Sequence, residues 1–142
     1  MNGTVRLHEL YEQYHEKVQF LSIYIREAHP IDGWWMGRRL TKMLTRMISP
    51  KVSMEHYDPK TLEERRAVAG ECETALQYGI RTYVDEMDDR VNDTYAAWPT
   101  RLYLIGVDGK VVYHGGLGPF DFHPSKLERA IQEYLAELEI VS

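Results

Sequence analysis

The 142-residue chain has a single cysteine, Cys72. One thiol excludes an internal disulfide and any all-cysteine metal site, and it makes a reducing cytoplasm the simplest expected location. Basic residues are also in short supply: 17 Lys and Arg face 22 Asp and Glu, for a net charge of −5. That balance argues against a general nucleic-acid binder. No apolar run approaches the ~20 residues of a membrane span. The opening residues, Met1-Asn2-Gly3-Thr4-Val5-Arg6, lack the apolar core of a secretory signal. The glycine-rich run Gly115–Phe120 is followed by no Gly-Lys-Ser/Thr, so it is not a phosphate loop. Asp85, Asp88 and Asp89 lack calcium-loop spacing and read as a solvated helix start, so no metal site is expected.

The apolar and charged fractions are those of an ordinary globular protein, and residues 1–142 read as one domain with room for a hydrophobic core. Leu7, Leu10, Tyr11 and Tyr14 mark one face of a helix over residues 4–17, with His8 and His15 on its surface. Val18–Ile25 is apolar and reads as a strand buried on both faces. Trp35–Ile48 predicts a basic amphipathic helix, with Met36, Leu40, Met43, Leu44 and Met47 on one side and Arg38, Arg39, Lys42 and Arg46 on the other; it reads as a peripheral insertion rather than a membrane contact. A third helix starts at Asp58-Pro59, or at a Thr61/Glu64 capping box, and stops at Gly79. Its inward stripe is Leu62, Val68, Ala69, Cys72, Ala75 and Leu76, which makes Cys72 a small buried hydrophobe. A strand over Ile80–Asp85 and a short helix over Asp89–Ala97 follow. Asp108-Gly109 predicts a hairpin between Arg101–Val107 and Lys110–His114. Pro124–Leu138 closes the chain as a helix with Leu127, Ala130, Ile131, Tyr134, Leu135 and Leu138 inward.

The chemistry-bearing residues gather after the first strand. Glu27 and His29 stand at its carboxyl end, and Asp32-Gly33-Trp34 follows in the loop. Ligands of α/β sheets collect in that position. Helices between strands imply parallel pairing, and the last hairpin adds an antiparallel edge, so the fold class is α/β with a mixed sheet. Trp98-Pro99 before a hydrophobic strand predicts a cis peptide bond.

This order resembles a thioredoxin-like three-layer sandwich. Three motifs sharpen the resemblance: Tyr24-Ile25-Arg26-Glu27-Ala28-His29 with Asp32-Gly33-Trp34; Tyr95–Tyr103 around Trp98-Pro99-Thr100; and Tyr113–Phe120 with Gly116, Gly118 and Pro119. Together they resemble the iodothyronine deiodinase family over roughly residues 5–137. The family's nucleophile is a selenocysteine or cysteine followed by Pro-Pro at the start of the first helix. The resemblance therefore implies that the nucleophile and the central strand before it would fall just upstream of Met1, with a truncated reading frame as the explanation. The rival is a short protein that closes its sheet directly or as a homodimer.

The resemblance implies a selenol- or thiol-dependent reductive dehalogenase of an iodinated aromatic. His29 would donate a proton and Glu27 would orient it. Asp32, Gly33, Trp34, His56, Trp98, Pro99, Gly116, Gly118 and Phe120 would form the substrate slot. No cofactor is implied beyond a thiol co-substrate such as thioredoxin or glutathione. A peroxiredoxin-like peroxidase and a non-catalytic thioredoxin-fold binding module are the alternatives.

Overall fold

The structure is a computed structural model, and it describes residues 3–27, 58–76 and 79–141. The expected basic helix over Trp35–Ile48 lies outside those residues. Helix α1 spans Gly3–Tyr14 and strand β1 spans Leu21–Tyr24. Helix α2 follows at Leu62–Leu76 and β2 at Arg81–Val84. The short helix α3 covers Arg90–Tyr95, and the hairpin strands β3 and β4 cover Tyr103–Ile105 and Val111–His114. Helix α4, Pro124–Val141, is the last element.

Helix α2 starts on the capping box rather than on Asp58. Glu64 N donates to Thr61 Oγ1 at 3.2 Å, while Glu64 Oε2 accepts from the backbone of Lys60 and Thr61 at 2.7 and 3.2 Å. Two otherwise orphaned donors are satisfied by one carboxylate, which explains why this start wins. Gly79, at φ +72°, follows as expected of a residue beyond a helix end.

The strands form two separate pairs. β1 runs parallel to β2, with Leu21 opposite Arg81 and Tyr24 opposite Val84, and β3 runs antiparallel to β4, with Tyr103 opposite His114. The hairpin turns on Asp108-Gly109, where Gly109 takes φ +79° and Gly106 N donates to Lys110 O. Among the described residues no ladder joins the pairs. Asp85 N donates to Tyr24 O at 2.9 Å, which fixes the ladder so that Ser22 and Tyr24 point their backbone groups at β2. Leu21 and Ile23 then point theirs at the opposite edge. Likewise Gly115 N donates to Leu102 O, so Leu102 and Leu104 face β4 while Tyr103 and Ile105 face away from it.

The strand expected to be buried on both faces is therefore half-covered. Leu21 and Ile23 are 55% and 42% exposed, alternating with half-buried Ser22 and Tyr24. The reason is that α2 packs against β2 on one side of this pair, and no described element covers the other side.

The main core lies elsewhere, between the two terminal helices and the hairpin. Leu10 and Tyr14 of α1 meet Leu104 of β3 and Leu127 and Ile131 of α4. These are the inward stripes read from the sequence, and His8 and His15 are exposed as expected. Arg6 pairs with Glu128 at 2.7 Å, and Gln132 donates to the Tyr14 hydroxyl at 2.9 Å, so polar contacts flank the apolar seam. Tyr134 of α4 reaches the hairpin and accepts from Val107 N at 2.8 Å.

A second centre ties α2 to the segment after β2. Arg65 is 3% exposed, and its Nη1 donates to the carbonyls of Asp85 and Glu86 at 3.3 and 2.7 Å. The same nitrogen lies 2.8 Å from Asp89 Oδ1, as an ion pair whose angle is not that of a hydrogen bond. Asp85, also 3% exposed, accepts from the backbone N–H groups of Val91 and Asn92 at 3.1 and 2.9 Å and so caps α3 from outside the helix. Asp85 and Asp89 are thus not the solvated helix start read from the sequence; only Asp88, paired loosely with Arg90, sits in water. Removing one member of such a buried set leaves uncompensated charge and carbonyls. Arg65→Leu is expected to destabilise the fold by about 3 kcal/mol in urea titration, whereas Arg90→Gln should change it by less than about 0.5 kcal/mol.

Candidate functional site

Of the residues read as a site, His29, Asp32, Gly33, Trp34 and His56 lie outside the described residues. Those described fall into two groups. The first surrounds Glu27, which follows β1 and is half-buried. Tyr24, the last residue of β1, donates its hydroxyl to Glu27 Oε2 at 2.8 Å. A turn at Arg26 brings positions 24 and 27 together, so the strand's last side chain orients the first carboxylate beyond it. Tyr24 was not singled out by the sequence reading, although its place three residues before Glu27 was the available signal. Burial and the adjacent Glu27 carboxylate both push the Tyr24 phenol above its ordinary value, so it stays a hydrogen-bond donor.

Cys72 of α2 faces this group. It is half-buried rather than fully buried. Burial, then Glu27, then Glu71 raise the thiol above its usual range. A thiol kept protonated in a negative setting is a poor nucleophile. This agrees with reading Cys72 as a packing residue.

The second group joins the segment before β3 to the loop after β4. The Trp98-Pro99 peptide is cis, as expected, and Gly118-Pro119 is cis as well. Arg101 binds the two segments: Nε donates to Gly115 O at 2.8 Å, and Nη1 donates to the carbonyls of Ala96 at 3.2 Å and Tyr95 at 3.5 Å. The Tyr103 hydroxyl also donates to Tyr95 O, and the Tyr103 ring lies 5.9 Å from the Arg101 guanidinium carbon. Gly118 N donates to Thr100 O at 2.9 Å. Arg101 is a residue the sequence reading passed over, because a charged first residue of a strand looks solvated until its acceptors are known.

The two glycines of the proposed slot have a packing reason. A methyl at Gly118 would overlap Thr100 Cγ2, and one at Gly116 would overlap Asp121 Cβ. Gly118 lets the loop close on Thr100 of the proline segment, and Gly116 lets it fold back on Asp121. Trp98 and Phe120 flank this closed loop and are 42% and 83% exposed, so their rings are available. Glu27 belongs to the parallel pair and this loop cluster to the hairpin; no hydrogen bond or ring contact between described residues connects them.

The described elements define a mixed α/β protein with an oriented acid beyond a parallel strand and a cis-proline loop braced by an arginine. The chain belongs to the iodothyronine deiodinase family, whose model matches residues 3–135. It is 31% identical over 134 residues to the thyroxine 5-deiodinase of Sparus aurata, covering 94% of this chain and 45% of that protein. It is 33% identical over 129 residues to that of Rattus norvegicus and 32% identical over 129 residues to that of Homo sapiens, covering 91% of this chain and 38% of each relative. The chain thus spans less than half the length of these relatives. Among the described residues no helix is long and apolar enough to cross a membrane, and no cluster of three metal-ligating side chains occurs.

Two measurements check the local geometry. Gly118→Ala should cost about 1–3 kcal/mol, and adding Thr100→Ser, which removes the overlapping methyl, should restore most of it in a double-mutant cycle. Cys72 should react with iodoacetamide more slowly at pH 8 than a free cysteine. Glu27→Gln removes a charge that raises the thiol, so it should speed alkylation at that pH.

Proposed function

We propose that this chain is the substrate-posing part of a thiol- or selenol-dependent reductive dehalogenase acting on an iodinated aromatic, built on a thioredoxin-like sheet whose central strand and nucleophile come from outside residues 1–142. Family membership supports the chemistry. Among the described residues no ladder occupies the far edges of β1 and β3, which supports the missing strand, since a strand between them would satisfy Leu21 and Ile23 on one side and Tyr103 and Ile105 on the other. What supports a nucleophile outside residues 1–142 is the setting of Cys72, the chain's one thiol, which burial and the nearby Glu27 carboxylate push above its usual range.

The reaction follows from these roles. The thiolate or selenolate attacks iodine. The carbon–iodine bond breaks, its electron pair stays on the ring carbon, and that carbon takes a proton from His29. Two thiols, from thioredoxin or glutathione, then reduce the sulfur– or selenium–iodine bond, releasing iodide and a disulfide. Glu27, held by Tyr24, orients His29 and favours its charged form. Asp32, Gly33, Trp34, His56, Trp98, Pro99 and Phe120 border the ring, with Gly116 and Gly118 closing the loop beneath it. No metal or organic cofactor takes part, and the expected compartment is the cytoplasm.

The test is iodide release from 3-iodophenol with dithiothreitol. The chain alone should release none. The chain extended by its upstream coding sequence should turn over, and His29→Ala in that form should lower kcat by about 10²–10⁴. Release by the chain alone that survives Cys72→Ser would sink the external nucleophile. Full activity of the His29→Ala form would sink the proton donor. An extended form that binds the phenol without turnover would leave a non-catalytic module.

A further inference from the structure

Helix α3 is held almost entirely by its ends. It has 6 residues and none is buried, so neither length nor apolar packing keeps it helical. At its start the Asp85 carboxylate, outside the helix, accepts from Val91 N and Asn92 N. At its finish Tyr95 O accepts from Arg101 Nη1 and from the Tyr103 hydroxyl, and Ala96 O accepts from Arg101 Nη1. The Tyr95 ring also meets Tyr103 edge-on at 5.0 Å.

Backbone strain gathers at the same two ends. Asp89 and Ala96, at φ +54° and +46°, are the non-glycine residues of positive φ among the described residues, and they flank α3. Asp tolerates that region, but for Ala it disfavours the conformation about five- to thirtyfold. The strain at Ala96 therefore works against the bonds that close the helix. Arg101 is shared with a second element: its Nε donates to Gly115 O. When α3 opens, Arg101 loses both acceptors of Nη1 and keeps only the loop carbonyl.

We propose that α3 is a strap: the stretch from Arg90 to Ala96 opens as one unit far more often than the chain unfolds, and each opening loosens the loop from Gly115 to Phe120 through Arg101. Asp89 stays clipped to Arg65 throughout. On the dehalogenase reading, which only this consequence needs, opening lets the Trp98 and Phe120 rings part for an aromatic substrate. The test involves no turnover, so the strap and that reading can fail separately.

The experiment is native-state hydrogen exchange of the isotopically labelled chain by NMR, in urea below the unfolding transition. The amides of Val91, Asn92 and Asp93 should share one opening, at least about tenfold more frequent than that of Leu10 and Ile131 and nearly insensitive to urea. Ala96→Gly relieves the left-handed alanine and keeps its carbonyl, so it should slow those three amides about fivefold. It should also slow the amide of Gly118, which donates to Thr100 O, by about twofold or more. Tyr103→Phe removes one bond at the end of α3 and should speed the α3 and Gly118 amides together, by about two- to tenfold at α3. Opening of α3 no more frequent than that of Ile131, separate openings at the three amides, or a Gly118 amide unmoved by both variants would each overturn the proposal.

Discussion

The Arg65 guanidinium is the group on which the parallel half of this structure depends. It leaves water to reach two backbone carbonyls and one carboxylate beyond β2, and those partners belong to the segment that starts α3. Burying a charge costs several kcal/mol per ion unless its hydrogen bonds are met. Helix α2, β2 and α3 are therefore constrained to one mutual arrangement. The same helix that carries Arg65 carries Cys72 two turns on, so the position of the thiol against Glu27 follows from the clip. A helix this polar holds its place by a directed contact more than by the area of its apolar face.

The hairpin half uses a second arginine in the same way with a different outcome. Arg101 draws the carbonyls of Tyr95, Ala96 and Gly115 toward one planar group, and the loop after β4 lies against the cis-proline segment. Gly116 and Gly118 make that closure sterically feasible. The exposed rings of Trp98 and Phe120 are thus set on a braced platform rather than on two independent loops. Loops that carry function on a rigid scaffold are a general pattern, and here the rigidity comes from side-chain-to-carbonyl bonds across 14 residues of sequence.

Periodicity located most of the elements correctly. The stripes of α1 and α4 form the main core at Leu10, Tyr14, Leu127 and Ile131, and Asp108-Gly109 turns the hairpin. The inward face of α2 was read correctly at Val68 and Ala69 but left out Arg65, which sits at a core position three residues after Leu62 and three before Val68. A charged residue is normally assigned to water, and only the facing carbonyls reveal the exception. The acidic run after β2 was misread for the complementary reason: Asp85 and Asp89 look solvated until the helix N–H groups and the guanidinium that receive them are in place. Tyr24 and Arg101 escaped notice on the same ground, since a hydroxyl and a guanidinium acquire a role only through a partner.

The order of elements, the family and the chemical identity of the candidate site are properties of the sequence, because they rest on local periodicity, turn chemistry and residue types at short spacing. Tertiary structure decided what those residues meet. Among the described residues it separated the strands into two pairs, and it placed Glu27 against Tyr24 and Cys72. Backbone pairing across long sequence separations and the burial of charge depend on groups distant in the chain, and no local pattern encodes them.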